Sequence, residues 1–170
     1  MKKFKFKVSY IVGIVIAVML IIVALNSVKI IPTGYTGVRT TFGQISSNVV
    51  QSGLNFKIPF IQSINLVNNK QQDVTFDGTI SSETSERNEV FFSGITVTYQ
   101  INAEKSSWIY ANVSNYKNNL VSESLVASAL KTSSKTLTPT DVTSRNILEP
   151  LVKENIQNSL NEKYGSEVVK

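Results

Sequence analysis

The chain has 170 residues with no histidine and no cysteine, which removes the commonest neutral-pH general base, the commonest zinc ligands and any disulfide framework. Its formal charge is +5, but four of the basic residues are Lys2, Lys3, Lys5 and Lys7; beyond them thirteen basic residues face twelve acidic ones with no cluster, so a nucleic-acid footprint is absent.

The first predicted element follows that lysine tail. Residues 8–25 carry no charge, with Ser9, Tyr10 and Gly13 as the only breaks in their apolar character. A helix of that length just crosses a hydrocarbon core of ~30 Å. The anchor side chains would include Val8, Ile11, Ile14, Ile16, Met19, Leu20, Ile22 and Leu25. A cleaved signal peptide begins the same way but needs a small-x-small exit, and Val23-Ala24-Leu25-Asn26-Ser27 has none. The tail therefore reads as cytoplasmic, residues 8–25 as a single-pass signal anchor in the cell membrane, and the body as extracytoplasmic.

Residues 28–102 read mainly as strands. Val38, Thr40 and Phe42 alternate with Arg39 and Thr41 between Gly34, Gly37 and Gly43, predicting one half-buried strand. In Ile95–Ile101 the residues Ile95, Val97, Tyr99 and Ile101 point one way and Thr96, Thr98 and Gln100 the other, the pattern of an antiparallel sheet with one wet face. Ser81–Glu89 reads as a loop or hairpin end. The segment Phe56, Lys57, Ile58, Pro59, Phe60, Ile61 has two readings: core packing at a turn, or a shallow lipid contact by Phe56, Lys57, Phe60 and Ile61 with the lysine at phosphate level.

After Asn102 the period becomes helical. Trp108, Tyr110 and Tyr116 are expected to pack a helix on the sheet, and Tyr116–Leu130 predicts a helix through Leu120, Val121, Leu125, Val126, Ala129 and Leu130. Thr138 caps a further helix with Pro139 at its first position, and Asp141 and Arg145, four apart, can pair on one face. Leu148, Val152, Ile156, Leu160 and Tyr164 form a stripe expected to pack on the sheet, with Pro150 bending the helix or costing it a hydrogen bond and Gly165 stopping it. Residues 166–170 look like the start of a strand that lacks length and partner.

No catalytic, cofactor or metal site is read. Ser133-Ser134-Lys135 and Lys105-Ser106 are only sequence neighbours, Glu83, Glu86 and Glu89 suit a solvated loop, and the glycines do not fit a phosphate loop.

In order, Ile30-Ile31-Pro32-Thr33-Gly34-Tyr35-Thr36-Gly37-Val38-Arg39-Thr40-Thr41-Phe42-Gly43, then Gly53-Leu54-Asn55-Phe56-Lys57-Ile58-Pro59-Phe60, Gly94–Ile101, Leu137–Val142, Arg145 and Tyr164-Gly165 resemble the SPFH, or band 7, family of stomatins, prohibitins and flotillins, and within it the prohibitin-like members. The resemblance implies an α+β SPFH domain over residues 26–165, an antiparallel sheet followed by packed helices behind one transmembrane helix; with no catalytic constellation in the residues, an enzyme is not expected. It implies a scaffold that organises membrane lipids or proteins, self-associates as a homo-oligomer or with a paralogue, and has a membrane-bound AAA protease as a candidate partner. The family's C-terminal coiled coil is absent from these residues, so the body is expected to use its apolar surface internally and to associate weakly by itself. The alternative is a secreted or surface-anchored small binding domain without large assembly.

Overall fold

The computed structural model describes the backbone of residues 8–170, with side chains from Tyr10 onward. The lysine tail, and with it the charge asymmetry that sets orientation, lies outside the described residues, as does the side chain of Val8.

Helix α1 (Val8–Asn26) is a 19-residue helix whose described side chains are all exposed. Its end is closed locally, because Asn26 Nδ2 donates to Ile22 O and Ser27 Oγ to Val23 O, filling carbonyls that the last turn leaves open. Among the described residues, no helix is long and apolar enough to cross a membrane. The eighteen-residue span expected from the sequence needs Val8 and Ser9, whose side chains are outside that description, so the described part of α1 falls short of establishing it.

Strands β1 (Val28–Ile31) and β4 (Gly53–Phe56) pair antiparallel into a ribbon, Val28 opposite Phe56 and Ile30 opposite Leu54. Beneath it lies a three-stranded antiparallel sheet in which β2 (Tyr35–Thr41) runs between β3 (Gln44–Val50) and β5 (Gln62–Asn68). Gly37 lets the two layers touch: a Cβ there would fall 2.6 Å from Ile31 Cδ1 and 2.7 Å from Ile64 Cγ2.

The next four strands make one long hairpin. β6 (Gln72–Phe76) pairs with β9 (Ile95–Tyr99), and β7 (Ile80–Glu83) with β8 (Glu89–Phe92). The segment read as a loop is therefore a turn only at residues 84–88, and Ser82 is buried, its hydroxyl satisfied 2.6 Å from that of Ser134.

A 3-10 turn at Ala103–Lys105 leads into α2 (Ser106–Asn112), α3 (Tyr116–Asn119), α4 (Glu123–Ser134), α5 (Pro139–Thr143) and α6 (Arg145–Tyr164). Two helices predicted as continuous are divided. Ser122 is extended and accepts the Leu125 N–H, so the run from Tyr116 restarts as α4. Thr138 caps α5 as its position suggests, receiving the Asp141 N–H and donating to Asp141 Oδ2 at 2.7 Å. That use of Asp141, together with the bond from Thr143 Oγ1 back to Thr140 O and the extended Ser144, ends the helix before Arg145. Arg145 consequently faces Glu149 at 3.9 Å instead of Asp141.

α6 continues through Pro150. Its buried residues Ile156, Leu160 and Tyr164 belong to one core with Val126, Ala129 and Leu130 of α4, so the stripe packs on a helix where the sequence suggested the sheet. Asn155 Nδ2 donates to Ser133 Oγ at 2.8 Å across that contact, and Tyr164 OH donates toward Asn119 O and Leu120 O at the end of α3. After Gly165 the chain turns back. Val168 and Val169 are buried, Val169 bridges Ile101, and Gln100 and Lys170 exchange backbone hydrogen bonds of 2.7 and 2.9 Å.

Candidate membrane-contact site

The β1–β4 ribbon has two unlike faces, as a two-residue period requires. Ile31, fully buried over Gly37, points inward along with the half-buried Lys29 and Asn55. Val28, Ile30, Leu54 and Phe56 point outward, with Ile30, Leu54 and Phe56 exposed by 68, 61 and 65%. They form two directly opposed cross-strand pairs of apolar side chains facing away from the core.

The same end of the domain carries two aromatic turns. Phe42, in the two-residue turn between β2 and β3, has φ 49° and is 82% exposed; Phe60 has φ 67° and is 90% exposed. A bulky residue with positive φ is a backbone outlier, and such strain persists where surrounding structure over-determines it. Here the determinants are visible. Gln62 N donates to Ile58 O at 2.8 Å while Gln62 Oε1 accepts from Ile58 N at 3.0 Å, closing the loop around Pro59 and Phe60. Phe42 N donates to Ile61 O at 2.9 Å, so the two turns are neighbours.

This end is also tied to α1. Lys57 N donates to Ser27 O at 2.8 Å, placing the start of the Phe60 loop at the exit of that helix. Arg39, on β2, reaches across with Nη2 3.2 Å from Phe56 O, while its Nε is buried without a partner. Leaving water is favourable for such side chains by ~1.5–3 kcal/mol each when burial is complete. Contiguous apolar surface of this kind marks a protein or membrane contact.

The core reading of Phe56–Ile61 is thus overturned: Phe56, Ile58 and Phe60 are exposed and Ile61 is at the edge of exposure. Val28, Ile30, Leu54 and Phe42 join the face without having been singled out in the sequence. Phe42 was hidden by an apparent alternation with Val38 and Thr40, although the adjoining Gly43 signals the turn. The expectation that little apolar surface remains exposed fails on the same residues.

The other sequence candidates are placed elsewhere. Ser133 Oγ donates to Ala129 O and receives Asn155, Ser106 Oγ receives Asn69 Nδ2 at 2.9 Å, and Lys135 and Lys105 are exposed, so neither pair forms a serine–lysine dyad. Glu83, Glu86 and Glu89 are exposed around the hairpin tip. Tyr110 and Tyr116 meet with ring centroids 6.2 Å apart, whereas Trp108 is 41% exposed and Ile109 is the buried apolar residue of α2, beside the buried Ser106 and Ser107. Among the described residues, no group of three or more acidic side chains could hold a metal.

No curated protein matches the chain. A family model described as SPFH domain / Band 7 family matches residues 29–169, beginning at β1 and ending at the Val169 bridge. Members of this family are in general membrane-associated, self-assembling and non-enzymatic scaffolds. The match spans the ribbon, the sheet, the hairpin and all helices after α1, and the chain belongs to the SPFH/band 7 family.

Proposed function

We propose that the protein is a single-pass, membrane-anchored scaffold of the prohibitin-like branch, in which α1 crosses the bilayer and the adjoining apolar face rests in the lipid interface. The carrying observation is the pair of strained, exposed aromatic turns at Phe42 and Phe60, tied through Lys57 to the residue that follows α1. Interfacial elements bury their apolar face ~5–10 Å into the headgroup and acyl boundary. With the lysine tail in the cytoplasm, the domain lies outside it. Assembled with copies of itself or a paralogue, it organises lipids and membrane proteins, and a membrane-bound AAA protease is the partner class that the prohibitin-like resemblance supplies.

The chain has one tryptophan, which makes the test direct. Trp108→Phe combined with Phe60→Trp gives a single reporter in protein reconstituted into vesicles of bromine-labelled lipid. Shallowly placed bromine should quench it strongly, whereas deep bromine should quench a Leu20→Trp control. A tryptophan at position 60 untouched by bromine at any depth would remove the lipid contact.

A further inference from the structure

Acidic residues are segregated along this chain. All twelve lie at or beyond Asp73, so the ribbon and the three-stranded sheet, residues 28–72, carry Lys29, Arg39, Lys57 and Lys70 and no carboxylate. Two of these cations share the layer between ribbon and sheet. Ile31 lies over Gly37, Phe56 O is within reach of Arg39, and Val28 pairs with Phe56; Lys29, inward-facing between Val28 and Ile31, is therefore carried over β2 between Gly37 and Arg39. Within that layer Arg39 Nη2 donates to Phe56 O at 3.2 Å, Nε is enclosed without a partner, and Nη1 makes no hydrogen bond and reaches solvent. Lys57, half-buried, adjoins Phe56 at the same end, where its N–H donates to Ser27 O. Among the described residues the one ion pair joins Arg145 to Glu149, so no carboxylate neutralises Lys29, Arg39 or Lys57. A guanidinium taken partly out of water without a counter-charge is costly.

We propose that Lys29, Arg39 and Lys57 form a phosphate-binding rim at the α1 end of the ribbon, and that its ligand is the phosphodiester of an anionic lipid. This rests on the reading that the ribbon's outer face meets lipid, and it adds which lipid. Arg39 offers Nη1 beside Nη2, a planar fork suited to two oxygens of one phosphate, and the lysines add point charges on either side. The apolar side chains Ile30, Leu54 and Phe56 on the outer face of the same two strands take the acyl side of the contact. A zwitterionic lipid brings its own cation beside the phosphate, so cations without a carboxylate partner favour a lipid of net negative charge. Residues 73–170 carry twelve acidic against nine basic residues, so an anionic surface attracts the ribbon end and repels the rest of the domain. Free inorganic phosphate shares the ligand's chemistry but has to be captured from solution, whereas α1 holds the rim among headgroups at high effective concentration.

The test uses the full chain with Trp108→Phe and Phe60→Trp, reconstituted into vesicles holding equal mole fractions of phosphatidylglycerol and phosphatidylcholine, with shallow bromine on one lipid or the other. Bromine on phosphatidylglycerol should quench several-fold more, since each basic residue at an anionic surface is worth ~1 kcal/mol, or about fivefold. Lys29→Gln with Arg39→Gln should bring the ratio to one while quenching itself persists, and the melting temperature shows whether the fold does. Arg39→Lys, which keeps the charge, should retain part of the preference. Lys70→Gln should leave it intact, because Lys70 sits over the Tyr35 ring, 5.5 Å from its centroid, at the opposite end of β2. Inorganic phosphate should likewise change nothing relative to chloride at equal ionic strength. Equal quenching by the two lipids overturns the proposal. So does a preference lost on Lys70→Gln, which would mean diffuse charge, or one erased by inorganic phosphate, which would make the free anion the ligand. Absence of quenching by either lipid would remove the lipid contact itself, and this proposal with it.

Discussion

Replacing Gly37 with alanine tests how the β1–β4 ribbon and its exposed apolar face are mounted. The added Cβ would lie 2.6 Å from Ile31 Cδ1, 2.7 Å from Ile64 Cγ2 and 3.1 Å from Val50 Cβ, and neither Ile31 nor Ile64 can swing away because they are 2% and 7% exposed. Overpacking by one carbon costs ~1–3 kcal/mol. Gly-to-Ala entropy in the unfolded chain returns ~0.4–1 kcal/mol where the backbone is compatible. Taking the middle of each range, the net loss expected is about 1.3 kcal/mol, or a melting temperature lower by roughly 3–5 °C at ~2–4 °C per kcal/mol. Ile31→Val removes the clashing Cδ1 at ~0.5–1.5 kcal/mol by itself, so the double variant should be more stable than the sum of the singles, with the Ile64 contact limiting the rescue. Thermal unfolding of the full chain in detergent, followed by far-ultraviolet circular dichroism, measures all three. A Gly37→Ala chain as stable as the parent, or a double variant additive within ~0.5 kcal/mol, would show that ribbon and sheet are not in contact at this point.

Phe60→Ser should change stability by less than ~0.5 kcal/mol, as for other exposed positions, while reducing the bilayer contact of its loop; a loss of several kcal/mol would restore the core reading. Ser134→Ala strands the buried Ser82 hydroxyl and should cost ~1–3 kcal/mol, and adding Ser82→Ala should recover part of it, because an empty pair leaves no unsatisfied group. Burial raises the phenol pKa of Tyr99, and burial followed by the neighbouring Tyr110 raises that of Tyr116. Both therefore keep their protons in the folded state after the unfolded chain has begun to lose them at 10.0. Stability present below that pH should fall as pH rises above it, and melting curves at pH 9 and 11 should converge partly in Tyr99→Phe and Tyr116→Phe. The chain should remain with membranes after alkaline washing; a soluble product starting near Asn26 would indicate cleavage instead.

Local periodicity and capping were sufficient for much of the fold. Alternation fixed which side of Ile95–Ile101 is buried, Thr138-Pro139 marked a helix start, and the spacing from Ile156 to Tyr164 marked a buried stripe, because each depends on residues within one or two turns of one another. The ordered glycine, proline and arginine motifs from Ile30 to Gly165 carried the family. What the stripe packs against was not legible, since α4 and the sheet both offer apolar partners and the choice of α4 shows only in long-range contacts such as the Asn155–Ser133 bond. The exposed apolar face was hidden for the same kind of reason. Hydrophobicity gives Ile31 and Ile30 the same value, yet one is buried over Gly37 and the other faces outward, and that difference exists only once β1 pairs with β4 and the ribbon settles on the sheet. Phe42 and Phe60, 18 positions apart by their numbers, become one surface through the bond from Phe42 N to Ile61 O. Sequence by itself determined which segments can leave water; the tertiary structure decided which of them do so inside the domain, because each buried face covers only the area its partner offers and the remainder stays outside.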